Sequence, residues 1–197
     1  MLKEHKDLYE SFKDLQKNEV GNYTIEYLDR GSNITILAPH GGKIEFNTTE
    51  IAKLIAGDSF NYYSFIGQKN KNNRHLHITS HKFNEPIAKE LVGKSKIVIA
   101  IHGCSDKQGK NEKDYGKHIF IGGLDEELKN TLQEALLEAG LSIGREKFQG
   151  MVKDNICNVG KRSKGVQFEL TKSFRGDAEY CGKFIEIVGR ILLTNAS

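Results

Sequence analysis

The run Ile97-Val-Ile-Ala-Ile101 constrains the fold of this chain most. A strand that is half exposed alternates apolar and polar residues. An unbroken apolar run rich in β-branched side chains belongs instead to a strand covered on both faces, as in the sheets of α/β proteins. Helices must then pack above and below it. The rest of the sequence supplies them, because candidate strands and helices interleave along its 197 residues. With no internal repeat and no linker-like stretch, residues 1–197 read as one α/β domain, a mixed β-sheet flanked by helices, with residues 1–19 as an N-terminal helical extension.

The expected elements follow from periodicity. Residues 5–17 suggest a short helix with Leu8, Phe12 and Leu15 on one face, His5 lying in its polar part. Tyr23–Leu28 alternates like a half-buried strand, and Asn33–Ala38 reads as a second strand that stops at Pro39. Thr48 is placed to cap a helix presenting Ile51, Leu54 and Ile55 and ending at Gly57. Phe60–Ile66 is a strand candidate, and Asn84 with Pro86 opens another helix. His118–Ile121 and Gly165–Thr171 read as strands. Asp125 caps a helix with Leu128, Leu132 and Leu136 on its apolar face, and a last helix covers roughly residues 177–193.

Two strand ends carry histidines. His40-Gly-Gly-Lys-Ile-Glu45 follows the Asn33–Ala38 strand, and His102-Gly103 follows the Ile97–Ile101 run. Ligands of open α/β sheets gather outside the carboxyl ends of strands. The two glycines allow a tight turn that returns Glu45 to His40. Two imidazoles and one carboxylate form the three-ligand set of a hydrolytic zinc centre, which keeps a fourth position for water. Manganese and iron are the competing ions for such a set. His75 and His77 fit roles around the site or in a substrate pocket better than metal ligation, because Ile78 and Thr79 disfavour the helix that would pair His77 with His81. His118 reads as structural and Cys104 as a free thiol near the site.

A hydrolase of this kind needs a base, and Glu169 sits among apolar neighbours in Val166-Gln-Phe-Glu-Leu. There a carboxylate is costly unless it has a partner or a task, or unless the strand is an edge with one solvated face. Arg74, Arg162 and Arg175 lie in loops flanking these strands. Guanidinium groups grip carboxylates bidentately, so the three suggest a pocket for an acidic substrate.

The strings Ala38-Pro-His-Gly-Gly-Lys-Ile-Glu45, Asn73-Arg-His-Leu-His-Ile-Thr-Ser80, Ile101-His-Gly103, Asn155-Ile-Cys-Asn158 and Gly165-Val-Gln-Phe-Glu-Leu-Thr171 follow one another in order. Together they resemble the poly-γ-glutamate hydrolase family of bacilli and their phages, over about residues 20 to 190. The resemblance implies a carboxypeptidase-A-like fold and one zinc ion per chain on His40, Glu45 and His102. It implies Glu169 as general base and Arg74 as the group that polarises the scissile carbonyl or holds a substrate carboxylate. It also implies endo-hydrolysis of γ-glutamyl amide bonds in poly-γ-glutamate. The chain departs from the family pattern after Asn158, where an arginine is expected directly and Arg162 stands four positions later.

Composition sets the remaining bounds. A formal charge of +3 is compatible with an acidic substrate. The lysines at 107–117 and 161–164 raise a non-enzymatic reading, a polyanion or nucleic-acid surface, but they are interleaved with acidic residues and no nucleic-acid motif accompanies them. A second enzymatic reading keeps the metal site and changes the substrate to a small acyl-amino acid or a cell-wall peptide. Three cysteines without a CxxC pair argue against a disulfide scaffold. The N-terminal residues have mixed charge and no apolar stretch, so the expectation is a cytoplasmic protein at synthesis, monomeric and without membrane contact, released by lysis if phage-encoded.

Overall fold

The computed structural model describes residues 7–109 and 113–195, so His5 lies outside the described residues. The first half of the chain forms α1 (Phe12–Asn18), β1 (Tyr23–Leu28), β2 (Ile34–Gly42), α2 (Thr48–Ala56), β3 (Asn61–Gly67), α3 (Pro86–Lys94) and β4 (Ile97–Cys104). The second half adds β5 (Lys107–Gln108), β6 (Lys113–Asp114), β7 (Ile119–Gly122), α4 (Glu126–Glu138), β8 (Ile143–Gly144), β9 (Val166–Thr171), α5 (Lys172–Arg175) and α6 (Ala178–Thr194). Seven strands make one mixed sheet in the order β1-β3-β2-β4-β9-β7-β8, while β5 and β6 pair separately. β3, β2, β4 and β9 run parallel; β1 is antiparallel to β3 and β7 to β9, while β8 is parallel to β7.

The apolar run of β4 sits near the middle of this sheet because both its faces are covered. Ile97, Ile99 and Ile101 pack with α2, α4 and α6, whose contributions include Ile51, Leu132, Phe184 and Val188. Val98 and Ala100 face the other layer, where α1 and α3 bring Phe12, Leu15, Leu91 and Val92. Residues before α2 and α3 cap differently from expectation. Asn47, at φ 67°, precedes α2 without a side-chain cap, and the Thr48 hydroxyl donates to Glu45 O. At α3 the cap is Glu85, whose carboxylate accepts the Ala88 amide, while Asn84 accepts the amide of Phe12. Leu54 lies outside the packed face of α2 and is exposed.

β2 does not stop at Pro39. It continues to Gly42 through a register shift against β3 between Ala38 and Gly41. Three steps on β2 there match two on β3, the signature of a bulge, and proline's missing N–H suits the unpaired position. The consequence is a change of face. Ile34, Ile36 and Ala38 pack on the α2–α6 side, whereas His40 contacts Ile78 and Phe83 on the opposite side. Ordinary alternation already places His102 and Glu169 on that second face, since Ile101, Phe168 and Leu170 all face the first.

Candidate metal and catalytic centre

His40 and His102 approach each other through their Nδ1 atoms, 3.1 Å apart. Both side chains are almost fully buried, at 2% and 1% exposure. His40 Nε2 lies 2.8 Å from the carbonyl of Ile78. A carbonyl only accepts, so this nitrogen carries the proton and Nδ1 presents a lone pair to the centre. The Ser80 hydroxyl stands 3.4 Å from His102 Nε2. Outer partners of this kind fix the orientation of metal-binding imidazoles.

Glu45 completes the convergence. The amide of Glu45 donates to His40 O at 2.9 Å, closing the turn. Gly42 makes the turn possible with φ +63°, since a Cβ there would come within 2.6 Å of Gly67 O. Glu45 Oε1 then lies 3.2 Å from His40 Nδ1, and Oε2 accepts the Gly103 amide at 2.7 Å and stands 3.9 Å from His102 Nδ1. Burial by itself would push this carboxyl up. The imidazoles of His40, His102 and His77 outweigh it and hold the group down at about 2. Burial, reinforced by His40, lowers His102 to about 3, so its imidazole is neutral and free to donate a lone pair.

Glu169 pairs in register with His102 on β4 and with Phe120 on β7. Its strand is therefore interior, and the edge-strand explanation of this carboxylate does not apply. Burial first and the Glu45 charge second raise its carboxyl well above the ordinary value, against the pull of Arg175 and Arg74.

His40, His102 and Glu45 bring together two imidazoles and a carboxylate, donors of the type that zinc takes, and the two Nδ1 atoms stand close enough to share one small cation. His77 also belongs to the cluster: one ligand atom from each of His40, Glu45 and His77 lies within 4.8 Å of the others. Residues 9–178 match the poly-γ-glutamate hydrolase family. The chain belongs to that family. Among curated relatives, the UPF0714 protein YmaC of Bacillus subtilis strain 168 is 32% identical over 175 residues, covering 86% of this chain and 71% of YmaC. The SPbeta prophage-derived UPF0714 protein YoqZ of the same strain is 33% identical, over 86% of this chain and 60% of its own length.

Solved structures agree with membership of the poly-γ-glutamate hydrolase family. A bacteriophage poly-γ-glutamate hydrolase superposes with a TM-score of 0.87 at 27% identity, over 96% of this chain and 98% of its own. The zinc-free apo form of YndL gives 0.87 at 28% identity, over 98% and 100%. The N-formylglutamate amidohydrolase of Ralstonia eutropha JMP134, at 8% identity and a TM-score of 0.59 over 89% and 98%, shares the fold.

In this poly-γ-glutamate hydrolase family member the three arginines separate. Arg74 stands exposed in the 3-10 turn Asn73–Leu76, close enough to act electrostatically on Glu169 and His77. Arg175 is buried beneath the site. It donates to Leu170 O at 3.0 Å, to Cys104 O at 3.0 Å and to Phe46 O. Those carbonyls lie one or two residues from Glu169, His102 and Glu45, and a Cβ on Gly103 would collide with the guanidinium. Arg175 thus organises the site from below rather than reaching a substrate. Arg162 pairs with Asp125 at 3.4 Å, in the segment that hydrogen-bonds Ser95 and leads into the start of β9. That is the amino end of the parallel strands, away from the histidines, so Arg162 does not line this site.

His75 is exposed on the same turn as Arg74, whereas His77 faces the cluster and is lowered to about 4, first by burial and then by His40. Cys104 is half-buried, its thiol pushed up by burial and by Glu169, which keeps it protonated. Sequence reasoning missed the partners of the outer nitrogens, Ile78 and Ser80, and also Asp7, which meets His77. Ile78 acts through its carbonyl, which no side-chain pattern reveals.

Proposed function

We propose that this chain is a zinc-dependent endo-hydrolase of the γ-glutamyl amide bonds of poly-γ-glutamate. The observation that carries the reading is the buried convergence of His40 Nδ1, His102 Nδ1 and the Glu45 carboxylate beside a second carboxyl, Glu169, with a raised pKa. His40, His102 and Glu45 would hold the ion, which when bound lowers the pKa of water and polarises an amide carbonyl. Glu169 takes the proton from the attacking water as its oxygen bonds to the amide carbon. It returns that proton to the departing α-amino nitrogen as the C–N bond breaks. The exposed guanidinium of Arg74 meets a free α-carboxylate of the polymer and sets its register. The family match and the likeness to the bacteriophage enzyme support the substrate.

The test is to incubate the zinc-loaded protein with poly-γ-glutamate and size the products through time. Endo-cleavage predicts an early collapse of mean chain length with little free glutamate. Steady release of monomer from intact long chains would overturn the endo mode, and an unchanged polymer would overturn the substrate.

A further inference from the structure

Ahead of α1, Asp7 reaches the site. The Asp7 side chain is 5% exposed, its Oδ1 is 2.8 Å from His77 Nδ1, and its Oδ2 accepts the Thr79 amide at 2.7 Å. A carboxylate accepts and does not donate, so the shared proton resides on His77 Nδ1 and leaves Nε2 as a bare lone pair. That nitrogen is 3.9 Å from Glu45 Oε1, and the His77 ring lies 4.0 Å from the ring of His40. Further bonds fasten the same two stretches together. Glu19 accepts Lys69 Nζ at 2.7 Å and the Tyr9 hydroxyl at 2.9 Å, the Phe12 amide donates to Asn84, and Lys82 pairs with Glu10. Residues 7–19 therefore brace the segment that carries Arg74 and His77. The family match begins at residue 9, so Asp7 lies outside it.

We propose that Asp7 is a positioning residue of the hydrolytic site: it fixes His77 as the Nδ1–H tautomer and aims Nε2 at the Glu45–His40 pair. There the nitrogen accepts a hydrogen bond from the water or amide N–H that the reaction brings in. The inference rests on the proposed hydrolytic function, but its geometric half does not need activity. Removing the carboxylate that orients a metal-binding histidine costs about 10–100-fold in activity or affinity, and Asp7 makes the same kind of orienting bond to His77 beside the proposed ligands. The competing explanation is that Asp7 merely holds the loop through the Thr79 amide.

Two measurements separate these. Nitrogen NMR of histidine-labelled, metal-free protein, with His77 assigned by its loss in His77→Gln, should show a protonated Nδ1 in wild type. Asp7→Ala should shift that tautomer balance. In polymer cleavage, Asp7→Ala should lower kcat about 10-fold or more with KM within twofold, and should cost nothing further in a His77→Ala background. Asp7→Asn keeps an acceptor for Thr79 and so tests the His77 bond with the loop still held; it should reproduce part of the kcat loss without a fall in melting temperature. An unchanged His77 signal in Asp7→Ala, or an equal kcat loss with and without His77, overturns the proposal. If wild type leaves the polymer intact, the functional reading fails, and the NMR result alone decides the Asp7–His77 link.

Discussion

Glu45 and Glu169 stand on one face of the sheet, and their surroundings drive their protonation apart. Burial opposes charge on both. Around Glu45 three imidazoles, His40 foremost, outweigh burial, and the group is a carboxylate at about 2 and above. Around Glu169 the charge of Glu45 adds to burial, and the two arginines offset only part of the rise. Titratable groups pushed apart in this way suit different roles, and in the proposed mechanism Glu45 is the fixed anion and Glu169 the proton carrier. The sign of the stability effect follows. An acid with a raised native pKa ionises more readily in the unfolded chain, so its cost is absent below the ordinary value of 4.5 and complete once pH exceeds the native value. Glu169→Gln should therefore melt higher than wild type at pH 8, by ~2 °C or more, with the gap closing towards pH 4, while kcat falls by about 10²-fold or more. Scanning calorimetry of the metal-free proteins at both pH values checks this. A gap independent of pH would show that the carboxyl is not perturbed, and near-normal turnover would remove it from the chemistry.

At the scale of elements, regular periodicity was legible and register was not. β1, β4, α4 and α6 lie within a residue or three of where the pattern puts them: β1 alternates, α4 and α6 each carry an apolar stripe, and β4 is an unbroken apolar run buried on both faces. The bulge in β2 was invisible, since Pro39 reads equally as a strand end, yet it is the bulge that turns His40 towards His102. The two-residue strands β5, β6 and β8 are too short to carry a period. Arg175 shows why residue type alone misplaces a role. A charged side chain in a loop reads as solvent-facing, but here its buried fork ties together the ends of β4 and β9 and the turn before α2. Lysine offers one point charge and cannot span three carbonyls. Arg175→Lys should therefore lose about 2 kcal/mol or more of stability, through carbonyls left unpaired in the interior. Urea unfolding would read this as a lower midpoint at constant slope. A midpoint equal to wild type would mean that the guanidinium is no clamp.

On the scale of the whole molecule, the core and the site are separable. Apolar clusters fill both faces of the seven-stranded sheet, and His40, Glu45 and His102 sit at the carboxyl ends of its strands, at the edge of the layer that holds Phe83 and Ile78. A fold completed by its own packing does not depend on a bound ion, unlike small domains that collapse only around a metal. Stripping metal with a chelator should then leave the far-ultraviolet circular dichroism unchanged and the melt cooperative. Returning zinc to 100 times its dissociation constant should add about 2.7 kcal/mol by mass action, which for a chain of this size raises the melting temperature by roughly 5–10 °C. His102→Ala removes one of the two converging nitrogens without touching either apolar cluster. It should fold as the stripped wild type does and show almost none of the zinc-dependent rise. If instead the variant gains the full increment, His102 is not a ligand, and the cation is held by His40, Glu45 and His77, whose ligand atoms already lie within 4.8 Å of one another.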